Sequence, residues 1–296
     1  MSAFLLIAAS FALGLLLRRA MPAGSSAALN AWIIDIALPA LVLLKIPQLH
    51  FSPALVFPAL APWLVFAGAW LLLARMGALR NWPRGTIGAL VLTAGLGNTA
   101  FVGIALVEAL RGSDAVGPAV VADQLGTFLA LSTGGIGAAA YYAGASVAPR
   151  DMAARVLRFP PFIALCVAAL AGVSGGWPPL LVPVLQRLAD TLVPLALFSV
   201  GLQFQLRGIG DDLGRMSLAM AWKLALAPAL VAACGYLSGV GGHAYAASVL
   251  QCAMAPMVSA GILAEYHGLD PKLANRMVSL GTVLSFATVP LWSLML

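Results

Sequence analysis

The feature that most constrains this chain is a polar, glycine-rich stretch in the middle of a long apolar segment. The segment runs from about residue 85 to residue 110, and the stretch occupies residues 95–105. Its unusual members are Gly95, Gly97, Asn98, Thr99 and Gly103. In a lipid bilayer, backbone groups that a helix break sets free must be buried in protein or line a cavity. The stretch therefore predicts either a broken helix that holds a solute or a glycine-rich helix packed tightly on a neighbour.

Composition assigns the chain to the integral membrane proteins. Of its 296 residues, 62% are hydrophobic and 9% are charged, and the mean hydropathy is +0.99. An average soluble domain is about 25% charged. Apolar runs of roughly 20 residues recur along the chain, which predicts helical spans. The net charge of +6 comes from basic residues in short loops. It therefore reflects membrane topology and gives no reason to expect a nucleic-acid partner.

Ten spans fit the hydropathy pattern. We place them at residues 3–17, 27–46, 53–75, 85–110, 117–143, 159–175, 180–204, 216–239, 244–266 and 273–296. Most Arg and Lys residues fall in one set of alternate loops, whereas the other set holds only Lys45, Arg111 and Arg187. Basic loops stay in the cytoplasm. The pattern therefore predicts a multi-pass protein of the bacterial cytoplasmic membrane with both termini periplasmic.

An internal repeat relates the two halves of the chain. Residues 35–39 match residues 190–194, residues 59–62 match residues 225–228, and residues 125–133 match residues 280–288. The three matches occur in the same order at similar spacings. Each half, 1–150 and 151–296, then holds five spans, and an odd number forces opposite orientations. The repeat thus predicts an inverted topology, a common plan of secondary transporters.

The repeat also predicts a second break, in the ninth span. Residues 251–261 contain Pro256, which lacks a backbone N–H group and clashes with the preceding helical turn. Gly261 takes the place that Gly103 has in the first half. Two interrupted helices at matching places indicate a substrate site near the middle of the membrane.

Several motifs together resemble the auxin efflux carrier family, whose bacterial members include proteins described as malonate and malate permeases. The motifs are residues 97–104, 159–162, 190–201 and 251–268, Lys223 with Pro228, and residues 275–277. The resemblance covers nearly the whole chain. It implies an all-α membrane protein of ten helices in two inverted five-helix repeats, with broken fourth and ninth helices that cross. It also implies an elevator-like movement and a homodimer.

The chain departs from the family pattern at one position. The family often has a proline shortly after the glycine of the fourth helix, where this chain has Ala105. We therefore expect Gly95, Gly97 and Asn98 to break the fourth helix here.

Side chains at the two breaks are the candidates for substrate binding. The amide of Asn98 and the hydroxyl of Thr99 could bind a carboxylate, helped by the positive end of a half-helix. Alternatively, both side chains only bond to neighbouring helices. The candidates at the second break are Gln251, Pro256, Met257 and Ser259.

Charged residues within spans are the candidates for coupling. Asp35 and Asp190 are repeat mates; either could carry a proton, or water could solvate it near a membrane face. Lys223 could attract an anion, pair with Asp190, or extend to the cytoplasmic face. Asp123 and Gln124 either line an outer vestibule or lie on the surface.

These features predict a secondary transporter that moves a small organic anion, auxin-like or a mono- or dicarboxylate, by alternating access. The expected partners are the anion, the lipid bilayer and a second copy of the chain. No phosphate-binding loop, metal-ligand spacing or nucleophile–base set is present, so we expect no cofactor, no metal and no enzymatic activity. Two alternatives stay open: a sodium-coupled symporter of the bile-acid type, and a membrane receptor that does not transport.

Overall fold

The computed structural model describes residues 2–49, 52–146, 148–204 and 209–296. These residues form helices and turns, with one isolated backbone bridge. The helices are α1 (Ser2–Leu17), α2 (Ser25–Gln48), α3 (Pro53–Leu79), α4 (Arg84–Gly95), α5 (99–111), α6 (Ser113–Ala143), α7 (Pro149–Leu157), α8 (Pro160–Val173), α9 (Val182–Gln203), α10 (Leu213–Leu237), α11 (Gly242–Cys252), α12 (Val258–Tyr266) and α13 (Pro271–Met295). The predicted all-α class is confirmed.

The helices suit a membrane. Within the described ranges, α2, α3, α6, α9, α10 and α13 are each long and apolar enough to span a bilayer, and α7 with α8 adds a seventh span if the pair is counted as one. Large apolar side chains such as Leu71, Leu170 and Leu294 are exposed on helix surfaces, as contact with lipid requires. A multi-pass membrane protein follows. The count of ten spans and the inverted repeat stay predictions, because α1 is shorter than these spans and the fourth and ninth predicted spans each fall on two short helices.

One helix was not predicted. The chain between the fifth and sixth predicted spans forms α7, an amphipathic helix bent by 63° from α8. Phe159 separates the two helices with extended backbone (φ −76°, ψ 118°), as expected for a residue that precedes a proline. The bend turns α7 away from the axis of α8.

Two apolar cores meet near the middle of the molecule. The first core includes Ala94 and Leu96, at the end of α4, and the second includes Ala100 and Val102, at the start of α5. Cys252, at the end of α11, belongs to the first core, whereas the next residue along belongs to the second. The interruptions of the helices therefore lie where the two cores join.

Helices α1 and α9 approach closely through a pair of glycines. A Cβ atom at Gly14 would overlap the carbonyl oxygen of Phe198, and a Cβ atom at Gly201 would overlap the carbonyl oxygen of Phe11. Small residues at such a contact let two helix backbones pack against each other within the membrane.

We expect Gly14→Ala or Gly201→Ala to destabilise the protein, since the added methyl group must push the two backbones apart. The expected loss is about 1–3 kcal/mol, the usual cost of overpacking. Thermal unfolding of the detergent-solubilised protein would measure it. Gly214→Ala is the matched control, because a Cβ atom at Gly214 meets nothing within 4 Å. Equal melting temperatures for all three variants would contradict the close contact.

Candidate functional site: the crossing of two helix breaks

The two helix breaks pair with each other through their backbones. Helix α4 ends at Gly95 and α5 begins at Thr99, while α11 ends at Cys252 and α12 begins at Val258. The N–H of Asn98 donates to the carbonyl of Ala255 at 2.8 Å, and the N–H of Met257 donates to the carbonyl of Leu96 at 3.0 Å. Gly97 and Pro256 face each other in this short antiparallel bridge. Each break thus satisfies backbone groups that the other one sets free.

Pro256 shapes the second break. Its ring packs against α13 at Gly281, where a Cβ atom would overlap the ring. A proline there leaves no N–H without a partner, and the flanking N–H of Met257 is the one that bonds across the crossing. Pro256 therefore belongs to the framework of the crossing.

Asn98 lies fully buried at the start of α5. Its Oδ1 accepts a hydrogen bond from the backbone N–H of Phe101 at 3.3 Å, which is a helix N-cap. Its backbone carbonyl accepts from the N–H of Gly103 at 2.9 Å. Its Nδ2 has no protein partner among the described residues. A buried amide that keeps two unused donors is a candidate ligand for an anion.

Gln251 joins the helices around the crossing. Its Nε2 donates to the carbonyl of Thr99 at 3.3 Å and to the carbonyl of Ala119, on α6, at 3.0 Å. The side chain is fully buried, and its Oε1 lies where a Cβ atom at Gly103 would be. Gly103 and Gly261, both predicted to interrupt helices, lie inside helical turns. At position 103 glycine is needed because Gln251 occupies the space.

Asp123 is buried beside the first break. It is 2% exposed and lies in a π-helical turn of α6. One carboxylate oxygen accepts from the hydroxyl of Thr99 at 2.5 Å, and the other accepts from Nε2 of Gln124 at 2.7 Å. The surface location that the sequence left open for Asp123 and Gln124 is therefore wrong, and the outer vestibule stays a prediction. Thr99 faces this carboxylate.

Lys223 is buried beside the second break. It is 1% exposed, in a π-helical turn of α10, and its Nζ donates to the carbonyl of Cys252 at 3.2 Å. A Cβ atom at Gly97 would lie 3.0 Å from this nitrogen. The ammonium group therefore lies at the negative end of α11 and touches both breaks. It neither pairs with Asp190 nor reaches the cytoplasmic face, two of the possibilities left open by the sequence.

The predicted coupling residues Asp35 and Asp190 lie on exposed surfaces. The carboxylate of Asp190 accepts from Nε2 of Gln186 at 2.6 Å, one helical turn earlier in α9. Neither aspartate lines the cavity described next. Their sequence signal was an acid inside an apolar run, which does not tell which side of the helix the acid occupies.

A cavity of about 340 Å³ adjoins the crossing. Its wall is mostly apolar and includes the rings of Phe128 and Phe159, which stack with centroids 3.9 Å apart. Asp123 and the exposed Arg155 of α7 contribute the charged groups of the lining. Among the residues predicted to bind substrate, Met257 and Ser259 line this cavity, whereas Asn98, Thr99, Gln251 and Pro256 build the crossing beside it.

A second cavity, of about 360 Å³, lies against a neighbouring face of α12. Its lining is more polar and includes Gln203, Glu265 and Asn275, from α9, α12 and α13. Ile262 of α12 lines both cavities.

Comparison with known proteins agrees with this architecture. A profile of the membrane transport protein family matches residues 2–293. The chain belongs to this family. The resemblance to the auxin efflux carriers is thereby confirmed, and the chain is a membrane transporter by family. An uncharacterized transporter of Methanothermobacter thermautotrophicus is 25% identical over 217 residues, which is 73% of this chain and 70% of that protein. An uncharacterized transporter of Methanocaldococcus jannaschii is 23% identical over 211 residues, or 70% of this chain and 67% of that protein.

We expect Gly103→Ala to destabilise the crossing and Gly261→Ala to be tolerated, although the repeat makes the two positions equivalent. The new methyl group at position 103 would displace the buried amide of Gln251, at a cost of about 1–3 kcal/mol. At Gly261 the nearest atom is 3.4 Å away, an ordinary contact. Thermal unfolding of both variants would measure the difference. If Gly261→Ala is as unstable as Gly103→Ala, the contact of Gln251 with Gly103 is not the cause of the lost stability.

Proposed function

We propose that this protein is a secondary transporter that carries a small organic anion, bound in the cavity beside the crossing, across the membrane by alternating access. The observation that carries the proposal is the pairing of two helix breaks next to a cavity lined by Met257 and Ser259. Interrupted helices at mid-membrane are a general way for transporters to bind solutes. Membership of a transporter family supports the same reading.

The crossing favours an anion over a cation. Helices α5 and α12 both begin there, so the positive ends of two half-helices lie beside the cavity. Asn98 adds two unused amide donors, and Lys223 adds a buried positive charge nearby. A carboxylate of the substrate can accept from such donors while its charge is balanced within the protein.

The wall of the cavity favours an apolar body on that anion. Stacked phenyl rings and aliphatic side chains form most of the lining, and Arg155 supplies a positive charge at the exposed side. A compact dicarboxylate would leave much of this apolar wall without a partner. We therefore expect a monocarboxylate with an aromatic or aliphatic part, such as indole-3-acetate, to bind more tightly than malonate or malate.

Alternating access would move one group of helices against another. The inverted repeat of residues 1–150 and 151–296 supports such a cycle, since two mirrored halves can exchange conformations. The joined cores suggest the division: helices of the first core, such as α3, α4 and α13, would shift as an elevator relative to α1, α2, α8 and α9. From the family resemblance we propose that the protein forms a homodimer. From the loop charges we propose that it lies in a bacterial cytoplasmic membrane with both termini in the periplasm.

A sodium-coupled symporter is the less favoured mechanism. Sodium would need oxygen ligands free at the crossing. The carbonyl of Cys252 already accepts from the Lys223 ammonium, and both oxygens of Asp123 already accept from protein donors. A fixed ammonium group at the break opposes a second cation there.

Uptake into proteoliposomes tests the proposal. The purified protein would be supplied with radiolabelled indole-3-acetate, malonate or malate, with pH, sodium and voltage gradients imposed one at a time. We expect saturable uptake of at least one anion, with indole-3-acetate preferred, and none in protein-free vesicles. Uptake that requires sodium would favour the symporter, and binding without flux would favour the receptor. Neither binding nor flux from folded protein would overturn the proposal.

We expect Asn98→Ala to lower the uptake of the transported anion at least tenfold, because it removes the free amide donors at the crossing; about 1.4 kcal/mol of lost binding gives that factor. The initial rate of uptake is the measurement, and size-exclusion chromatography would check folding. Gln48→Ala is the control, since Gln48 is an exposed amide at the end of α2. Uptake at the wild-type rate in Asn98→Ala would remove Asn98 from the site.

A further inference from the structure

Asp123 differs from the other acids of the chain. Among the described side chains it is the only buried carboxylate. It lies in the wall of the 340 Å³ cavity and bonds directly to Thr99, the first residue of α5. A carboxylate inside a membrane protein is costly to keep and marks an ion or proton route.

We propose that Asp123 is the proton-binding residue of this transporter, and that its protonation permits the anion to bind. This inference rests on the proposed function and deepens it by naming the coupling group. A proton from the water on one side would bind the Asp123 carboxylate, and the neutral carboxyl group would release the same proton to the water on the other side. No covalent bond other than this O–H bond forms or breaks.

The partners of Asp123 can serve both of its protonation states. The Thr99 hydroxyl donates to the carboxylate in the structure, but a hydroxyl can equally accept a hydrogen bond from a protonated carboxyl group. Gln124 donates through Nε2, while its Oε1 is buried without a partner. Rotation of that amide would turn Oε1 toward a protonated Asp123 as an acceptor. A carboxylate held only by fixed N–H groups would have no such second arrangement.

The shared cavity explains how proton and substrate are linked. An ionised Asp123 in the wall repels a carboxylate in the same low-dielectric space, whereas a protonated Asp123 does not. By linkage, the anion then binds with a proton, and the proton binds more tightly when the anion is present. A monocarboxylate would travel with one proton and without net charge.

Other ionisable groups near Asp123 do not duplicate this role. Arg155 and Tyr266 line the same cavity, and both are exposed. Cys252 and Lys223 lie at the other break, joined through the Cys252 carbonyl. Among the described parts of the elements packed against the Asp123 turn, no second carboxylate is buried. Thr99 links Asp123 to the first break, because its hydroxyl bonds to the Asp123 carboxylate and its carbonyl accepts from Gln251.

Binding measured against pH tests the inference. Calorimetry would titrate the detergent-solubilised full chain with indole-3-acetate, malonate and malate in turn, between about pH 6.5 and pH 8.5, where the carboxylates of these probes stay ionised. For each probe that binds, we expect the Kd to rise by up to about tenfold per pH unit as the proton is lost. Repeating the titration in buffers of different ionisation heat should show close to one proton taken up per anion.

The variant that removes the titrating group is Asp123→Asn, which keeps the shape and the ability to accept from Thr99. We expect its Kd to vary less than twofold over the same pH range and its proton uptake to vanish. In proteoliposomes, two rates would be measured: accumulation of the anion driven by a pH gradient, and exchange of labelled for unlabelled anion. In Asp123→Asn the ratio of the first rate to the second should fall at least tenfold. Asp35→Asn and Asp190→Asn are the matched controls and should keep the wild-type pH response.

Each outcome decides between the two proposals. Anion binding or flux in the wild type that ignores pH, or that takes up no proton, would overturn the role of Asp123 and leave the transporter function standing. A pH response lost in Asp35→Asn or Asp190→Asn, and kept in Asp123→Asn, would move the role to the exposed acids. No binding of any probe would overturn both. If Asp123→Asn does not fold, Gln124→Ala decides instead, because it removes a hydrogen bond to the ionised carboxylate and adds no titratable group. The pH at which the Kd rises should then move upward, and an unchanged pH profile would overturn the role of Asp123.

Discussion

The backbone pairing of the two helix breaks is the constraint on which the rest of the site depends. A membrane offers no water to backbone groups that leave a helix, so a single break would be expensive. Here the backbone N–H groups of Asn98 and Met257 donate across the crossing, so each break is stable only when the other is present. Gln251 adds to this pairing, because its side-chain amide donates to the backbone carbonyls of Thr99, on α5, and Ala119, on α6. The polar side chains of the crossing are therefore first of all partners for backbone.

The charges at the crossing do not share the symmetry of its backbone. Because residues 125–133 match residues 280–288, the predicted repeat makes Val278 the counterpart of Asp123. Because residues 59–62 match residues 225–228, it makes Phe57 the counterpart of Lys223. The acid and the base thus each correspond to an apolar residue in the other half. In the proposed cycle, a mirrored framework would give the two orientations similar energies, and the charges present in one half only would provide the coupling.

The sequence was sufficient for the helical class, the family and the positions of the interrupted stretches, since glycine, proline and hydropathy are local signals. It did not reveal which acid is buried. Asp35 and Asp190 also stand in apolar runs of the chain, yet they are exposed, whereas Asp123 is enclosed by residues distant in sequence, such as Thr99. The clamp by Gln251 was missed for the same reason, because its partners lie on α5 and α6. Helix α7 was missed because its three charged positions look like a loop next to apolar spans. Burial and long-range bonding depend on how helices pack, and a linear pattern does not contain that information.

Helix α12 lines both a mainly apolar chamber and a more polar one, and Ile262 faces both. Ile262 is 56% exposed, so the two cavities open next to each other beside its side chain. We expect a smaller residue at position 262 to widen the connection between the two cavities, so that a solute could place an apolar group in one and a polar group in the other. Proteins of this architecture thus have a simple way to change the size and polarity of the accepted solute: they can alter one side chain on α12 and leave the crossing as it is.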